Sequence, residues 1–258
     1  MNPFDTREMA AGYARYRPPV HQRVIGLARP YLRSAEPIRR ALDVGCGAGL
    51  STRALDPLAA EIYGLEPAAG MLAWRQEIAP SAHFVVGAAE ALPFARRSID
   101  LLAAAGSLNY APLERFFPEA ARVLSARGLL LVYDYSPGRT FRSGDGLDAW
   151  FEEFLRRYPA PASGSRKLNP EILGALDCGF SLRGHSEFAV GLPLAPDFYR
   201  EYVLTGTNVA AAAGRGVPES EVRAWCNATL PAVWGGGQAR EVLFHGYFAC
   251  LSPETSRD

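Results

Sequence analysis

Short apolar runs alternate with segments of helical spacing along the first half of the chain. The apolar runs predict five strands, at residues 41–44, 61–65, 83–86, 99–104 and 129–133. The segments between them predict helices at about 50–58, 67–78 and 113–124, with Gly128 as the stop of the last one. Strands that alternate with helices indicate an α/β fold, a parallel sheet with helices on both faces. Ligands of such sheets bind beyond the carboxyl ends of the strands.

The second half has a different pattern. Residues 137–168 are rich in Gly, Ser, Pro and Arg around an aromatic helix at 150–158, which indicates a lid inserted into the fold. Helices at 170–177, 197–213 and 218–230 and strands at 180–190 and 241–251 follow. We therefore expect four segments: an N-terminal helical cap at 1–37, a core at 38–136, the lid at 137–168, and a completion of the sheet at 169–258 with a helical cap at about 196–235.

Composition narrows the class of function. The chain has 258 residues, 48% of them hydrophobic, and 27 basic residues balance 27 acidic ones. A balanced charge favours a small-molecule substrate over nucleic acid. No apolar run reaches the ~18 residues of a membrane span. The charged start of the chain, where a secretory signal needs an apolar core, predicts a cytoplasmic location. The sequence does not indicate the oligomeric state.

The reactive side chains exclude several chemistries. The four cysteines form no C-x-x-C pair and the four histidines are scattered, so we predict no metal site. Lys167 is the only lysine, and the residue four positions before it is Ser163. Schiff-base chemistry, pyridoxal phosphate attachment and the Tyr-x-x-x-Lys pair of short-chain dehydrogenases all require a lysine in a defined place. We expect none of these classes.

Three glycines follow the first strand. The chain reads Ala-Leu-Asp-Val-Gly-Cys-Gly-Ala-Gly-Leu from Ala41 to Leu50. This is a strand that breaks into a tight turn, where backbone without Cβ atoms can lie directly against a ligand. A dinucleotide-binding fingerprint needs its third glycine one position later, where this chain has Leu50. The spacing therefore weakens the pyrophosphate interpretation.

Together with Asp43, this turn resembles the first motif of class I S-adenosyl-L-methionine (SAM) dependent methyltransferases. Further motifs resemble the same family at similar separations: Gly64-Leu65-Glu66-Pro67, Glu90-Ala91-Leu92-Pro93-Phe94, Ser98-Ile99-Asp100-Leu101, and Arg122-Val123-Leu124 before Gly128-Leu129-Leu130. The resemblance covers residues 38–136 and is to the ubiquinone-biosynthesis and trans-aconitate methyltransferase group (methyltransferase type 11), whose N-terminal segment is similar to residues 13–19. It implies a Rossmann-like, seven-stranded, mostly parallel sheet with an antiparallel last strand, and SAM as cofactor.

The resemblance also implies a set of cofactor-binding residues: Asp43, Gly45, Cys46, Gly47, Gly49, Glu66, Pro67, Ala88, Ala89, Glu90 and Gly106. Glu66 follows Gly45 by 21 residues, close to the ~20-residue gap that brings an acid at the end of the second strand beside the first glycine turn. Its carboxylate can accept hydrogen bonds from both ribose hydroxyls. For Asp43 two roles stay open, accepting from the cofactor's ammonium group or bracing the turn.

Catalytic residues are harder to predict, because SAM brings its own reactivity and the protein mostly aligns the reactants. By family analogy, residues 106–110 line the sulfonium and the methyl acceptor; a turn of small residues is the alternative. Tyr13, Tyr16 and Asn109 are candidates for contacting either group. For the two tyrosines, packing in an aromatic lid is the alternative.

One departure from the family pattern concerns the adenine. The family usually has Asp just before this Ala-Glu pair, to accept from the adenine amino group, but the chain has Gly87-Ala88-Ala89-Glu90. A hydrogen bond to a charged group contributes about 1.5–3 kcal/mol. We therefore expect weaker cofactor binding unless backbone amides or Glu90 substitute.

Three functions remain. The leading one is a SAM-dependent methyltransferase for a small molecule. The second is a protein that binds SAM or S-adenosylhomocysteine without transferring a methyl group. The third, a nucleotide-dependent oxidoreductase, is disfavoured by Leu50 and by the single lysine. The methyl acceptor itself is not encoded in any recognisable motif.

Overall fold

The structure, a computed structural model, describes residues 12, 14–162 and 164–254. The strands in this part of the chain are β1 Ile38–Val44, β2 Ala59–Glu66, β3 His83–Val86, β4 Ile99–Ala105, β5 Leu124–Tyr135, β6 Thr140–Phe141, β7 Phe180–Leu194 and β8 Arg240–Pro253. The α-helices are α1 Val20–Ala28, α2 Leu50–Ala54, α3 Arg75–Ile78, α4 Leu113–Val123, α5 Leu147–Arg157, α6 Pro170–Ala175, α7 Pro196–Leu204, α8 Thr207–Gly214 and α9 Glu219–Trp234. Among the same described residues, 3-10 helices lie at Arg29–Ala35, Ala69–Trp74 and Ser107–Asn109.

All these strands belong to one sheet. Its order is β3-β2-β1-β4-β5-β8, with parallel pairing from β3 through β5. Strand β8 runs antiparallel to β5 on one side and to β7 on the other. The predicted Rossmann-like sheet with an antiparallel last strand is confirmed. The two-residue β6, which sequence reasoning missed, continues along the β5 side of β8.

Helices cover both faces of the sheet, because successive strand residues point to opposite sides. In β5, Leu129, Leu131 and Tyr133 belong to the core beneath α1, α5, α7 and α9. Leu130 and Val132 belong to the opposite core, which α4 and α6 cover. Burying each such leucine contributes roughly 1.5–3 kcal/mol. Near-continuous apolar strands, which predicted this arrangement, are what a sheet covered on both faces requires.

Gly128 does not stop a helix. Helix α4 ends at Val123, and β5 begins at once at Leu124 and runs through Gly128. The pairing with β4 shifts between Ile99 and Leu101, which indicates a bulge. A Cβ on Gly128 would lie 3.1 Å from the carbonyl oxygen of Ile99 and 3.0 Å from the side chain of Leu124. Gly128 therefore allows the backbone of β5 to lie close to the carbonyl oxygen of Ile99 in β4.

Other helix boundaries also differ from prediction. The single helix predicted at 197–213 is two helices, α7 and α8, separated at Thr205 and Gly206. The helix predicted at 50–58 ends at Ala54. The one predicted at 67–78 is a 3-10 helix followed by the short α3. Among the described residues, no helix combines the length and the apolar character needed to cross a membrane.

The aromatic side chains of the predicted lid are core residues. Trp150 and Phe154 of α5 stack with their ring centroids 5.3 Å apart, and Trp150 donates from Nε1 to Thr229 Oγ1 at 2.8 Å. Both rings are buried. Helix α5 is thus held against α9 by apolar contact and a hydrogen bond, and packing accounts for its aromatic residues.

Candidate functional site

The glycine turn lies at the carboxyl end of β1 and is fastened to the end of β2. Gly45, Gly47 and Gly49 all have positive φ angles, of 70°, 56° and 99°. The backbone amides of Gly45 and Cys46 both donate to the carbonyl oxygen of Leu65, at 2.7 and 3.1 Å. A side chain at Gly45 would collide with Ser107. The turn therefore needs glycine both for its left-handed conformation and for close contact with the end of β4.

Glu66 faces this turn from the last position of β2. Its Oε2 accepts from the amide of Gly47 at 2.9 Å, and its Oε1 accepts from the amide of Ala68 at 3.0 Å. The residue is only 8% exposed. Two amides thus fix the carboxylate, and each oxygen keeps acceptor capacity for a further donor. The predicted neighbourhood of Glu66 and the glycine turn is present in the structure.

Asp43 is buried beneath the turn. Its Oδ2 accepts from the hydroxyls of Ser51 (2.6 Å) and Thr52 (2.7 Å) at the start of α2. Its Oδ1 is buried and has no hydrogen-bond partner among the described residues. Burial raises the pKa of Asp43 to about 6, against the lowering effect of the two hydroxyls. The residue braces the turn through one oxygen and leaves the other available to a donor.

The segment that follows β4 lies between the glycine turn and the end of β5. Gly106 has a φ of 69°, and Ser107 donates from its hydroxyl to the carbonyl oxygen of Val44 at 2.5 Å. Asn109 donates from Nδ2 to Asp134 Oδ2 at 2.7 Å. The backbone amide of Arg166, in the predicted lid segment, donates to the carbonyl oxygen of Asn109 at 2.9 Å. Asn109 is therefore fixed on both sides.

The loop after β3 holds the residues expected near the adenine. The amide of Gly87 donates to the carbonyl oxygen of Glu66 at 3.2 Å, which joins this loop to the end of β2. Ala88, Ala89 and Glu90 are partly buried. Position 88 has no acid, and Glu90 is the acidic residue that follows it in this loop.

The remaining predicted residues are more dispersed. Cys46 is 4% exposed, and burial raises the pKa of its thiol, which disfavours the nucleophilic thiolate. Pro67 is exposed and follows directly after β2. Tyr16 packs edge-to-face on Phe198 of α7, with ring centroids 6.3 Å apart, which fits the packing alternative. Tyr13 lies outside the described residues.

Sequence reasoning missed three polar residues of this region. Ser51 and Thr52 hold Asp43, and they follow the turn as the first polar residues of a helix, which is a readable signal. Asp134 stands at the carboxyl end of a predicted strand, as Asp43 does, and that position is itself a signal. Within the described ranges, no group of three or more His, Cys, Asp or Glu is placed to hold a metal ion.

Comparison with known proteins identifies the domain that carries this site. Residues 42–132 match a family described as "Methyltransferase domain". This segment is a methyltransferase domain. It spans β1 to β5 and includes the glycine turn, Glu66 and Asn109, so the predicted resemblance to class I methyltransferases is confirmed.

Two curated methyltransferases are similar in sequence to about half of the chain. The phthiotriol/phenolphthiotriol dimycocerosates methyltransferase 1 of Mycobacterium ulcerans is 32% identical over 144 residues, which are 54% of this chain and 51% of that protein. A ubiquinone/menaquinone biosynthesis C-methyltransferase of Campylobacter jejuni is 29% identical over 130 residues, 47% of this chain and 54% of that protein. The chain spans about half the length of these relatives.

A solved structure extends the likeness to the fold outside the methyltransferase domain. A putative type II methyltransferase from Anaeromyxobacter dehalogenans superposes with a TM-score of 0.65 at 20% identity, over 86% of this chain and 94% of that one. At this identity the match concerns the fold alone. The likeness covers most of the chain, so the two proteins share an overall fold.

Proposed function

We propose that the protein is a SAM-dependent methyltransferase that acts on a small molecule. The observation that carries the proposal is the position of Glu66, a buried carboxylate held by two amides against a turn of three positive-φ glycines. A carboxylate in this position can accept hydrogen bonds from the two ribose hydroxyls of a nucleoside. The match of residues 42–132 to a methyltransferase domain supports SAM as that nucleoside.

The surroundings of the turn fit the methionine moiety and the ribose of SAM. Asp43 Oδ1, buried without a partner among the described residues, suits the ammonium group of the methionine moiety, directly or through a water. A bound ammonium would also compensate the cost of an ionised buried carboxylate. The amides of the glycine turn lie where main chain can approach the ribose and the methionyl chain, since no Cβ intervenes.

SAM, when bound, supplies a methyl group on a positively charged sulfur. The chain's own residues then have three tasks. Glu66 holds the ribose, Asp43 holds the ammonium group, and the segment from Gly106 to Asn109 shapes the space next to the turn. Alignment of this kind accounts for much of the rate enhancement when the cofactor is reactive.

Calorimetric titration with SAM and with S-adenosylhomocysteine tests the proposal, with NADH as a ligand that should not bind. The matched pair of variants is Glu66→Gln and Glu61→Gln, which change two acids of the same strand. Glu61 is exposed and paired with Arg40. Glu66→Gln should weaken SAM binding roughly 10- to 100-fold, the loss of one charge-assisted hydrogen bond of about 1.5–3 kcal/mol. Glu61→Gln should leave it unchanged.

Transfer is measured separately, with SAM carrying a tritiated methyl group and a bacterial small-molecule extract. Label that moves into an extracted metabolite supports the enzyme. Saturable SAM binding without any transfer would instead favour a SAM-binding protein that moves no methyl group. Binding of NADH but not of SAM would refute the proposal.

A further inference from the structure

A second carboxylate lies at the ligand-binding edge of the sheet. Asp134 is the penultimate residue of β5, and the neighbouring strand β4 ends beside it, since Ala105 pairs with Tyr133. A Cβ on Gly106 would lie 3.1 Å from Asp134 Oδ1, so the carboxylate rests against the bare backbone that follows β4. The next residue, Ser107, touches the glycine turn. Asp134 is thus connected to the proposed cofactor site through Gly106 and Ser107.

The carboxylate is held in one orientation but keeps acceptor capacity. Oδ2 accepts from Asn109 Nδ2 at 2.7 Å, and Oδ1 accepts from the amide of Tyr135 at 2.8 Å. An ionised carboxylate offers about four acceptor sites, so roughly two remain for another donor. Asn109 acts here as a positioning residue, because its contact is with Asp134.

The surroundings make Asp134 a better proton acceptor than an exposed aspartate. Burial raises its pKa, against the lowering effect of Asn109 and of the Tyr135 amide. The titratable group that faces it among the described residues is Tyr247, directly opposite in the antiparallel pairing with β8. Burial and the Asp134 charge both raise the pKa of Tyr247, which therefore stays protonated. Its hydroxyl is buried with no hydrogen-bond partner in the described part of the chain.

Resting on the proposed methyltransferase function, we propose that Asp134 is the general base of the reaction and that the acceptor is a hydroxyl or an N–H amine. The acceptor's oxygen or nitrogen forms a bond to the methyl carbon, and the carbon–sulfur bond breaks with its electron pair left on sulfur. The proton of the acceptor moves to Asp134, whose carboxylate becomes a neutral acid.

The test compares Asp134→Asn with Asp177→Asn. Asn keeps the shape of the side chain and an oxygen for Asn109, but it cannot take a proton at neutral pH. Asp177 is an exposed acid that precedes β7. Strand β7 runs in the same direction as β5, so the amino end of β7 and the carboxyl end of β5, which carries Asp134, lie at opposite ends of the strands. The probes are SAM alone, by calorimetry, and the extract fraction that the unchanged protein labels from tritiated SAM, by single-turnover rate from pH 5 to 9.

Asp134→Asn should bind SAM within threefold of the unchanged protein but label the fraction 100-fold or more slowly, since a general base contributes about 10²–10⁴-fold. The rise of the rate with pH should flatten, and formate should partly restore the rate of Asp134→Gly. Asp177→Asn should match the unchanged protein in both measurements. Labelling by Asp134→Asn within threefold of normal, or loss of its SAM binding, overturns the inference alone. No SAM binding by the unchanged protein refutes the proposed function instead, and binding without labelling refutes both.

Discussion

Replacing Asp43 by Asn should make the protein's stability depend less on pH while impairing its binding of SAM. Asp43 is fully buried, and its Oδ1 has no partner among the described residues. Asn is nearly isosteric, so its oxygen can keep the hydroxyls of Ser51 and Thr52, while its NH₂ takes the place of Oδ1. The variant therefore removes one buried charge with little change of shape.

The magnitude follows from the raised pKa of Asp43. The folded value is about 6 against 3.8 for an unperturbed aspartate. Because the folded pKa is the higher one, Asp43 favours the folded state below pH 4, and this stabilisation is lost as the pH rises through 6. The unchanged protein should thus lose about 2–3 kcal/mol of unfolding free energy between pH 4 and 7.5 through this group, and the variant should not. The unpartnered NH₂ costs the variant about 1–3 kcal/mol at every pH.

Urea unfolding of both proteins at several pH values measures the effect. Other titrating groups are common to both proteins, so the difference between their unfolding free energies isolates Asp43. That difference should change by about 2–3 kcal/mol in favour of the variant from pH 4 to 7.5. Calorimetry at pH 7.5 should show weaker SAM binding by the variant. A difference that stays constant with pH would refute the reasoning, because Asp43 would then titrate alike in both states.

Three further predictions concern single positions. Ala88→Asp should tighten SAM binding roughly 10- to 100-fold in calorimetry by supplying the missing acceptor for the adenine amino group; unchanged affinity would show that the adenine is held otherwise. Burial lowers the pKa of His21 in the folded protein to about 4, so on acidification the unfolded chain takes up a proton at His21 before the folded protein does. The unchanged protein should therefore lose about 2 kcal/mol of unfolding free energy through this group from pH 7 to pH 5, measured in urea, and His21→Gln should not. Gly49→Ala should lower the unfolding free energy by at least about 1–2 kcal/mol, since its φ is 99° and a Cβ would lie 3.1 Å from the ring of Phe84. Gly26→Ala in α1, where a Cβ meets nothing within 4 Å, should stabilise the protein slightly; equal effects at both glycines would contradict the account.

The sheet was predictable from the sequence because its strands are buried on both faces. The predicted bounds of β3 equal the observed ones, and those of β1, β2 and β4 differ from the observed bounds by a few residues. Glu66 was predictable because chain spacing alone brings it beside the glycine turn. Both predictions depend on local pattern and on the geometry of one βαβ unit.

What escaped prediction depends on contacts between distant elements. The sequence around Gly128 predicts a helix stop, yet Gly128 lies in a strand with an irregular register, where a Cβ would come within 3.1 Å of the carbonyl oxygen of Ile99 on the neighbouring strand. Asp134 gains its character from burial and from Asn109, 25 positions earlier. The break between α7 and α8 at Gly206 was hidden because helical spacing continues on both sides of it.

The claim that Glu66 recognises the ribose of SAM is tested most directly by pairing a change in the protein with a change in the ligand. SAM and its 2′-deoxy and 3′-deoxy analogues are titrated into the unchanged protein and into Glu66→Gln by calorimetry. Removing a hydroxyl should weaken binding to the unchanged protein about tenfold or more and binding to Glu66→Gln much less, since the partner is already altered. Equal losses in the two proteins for both analogues would contradict the account.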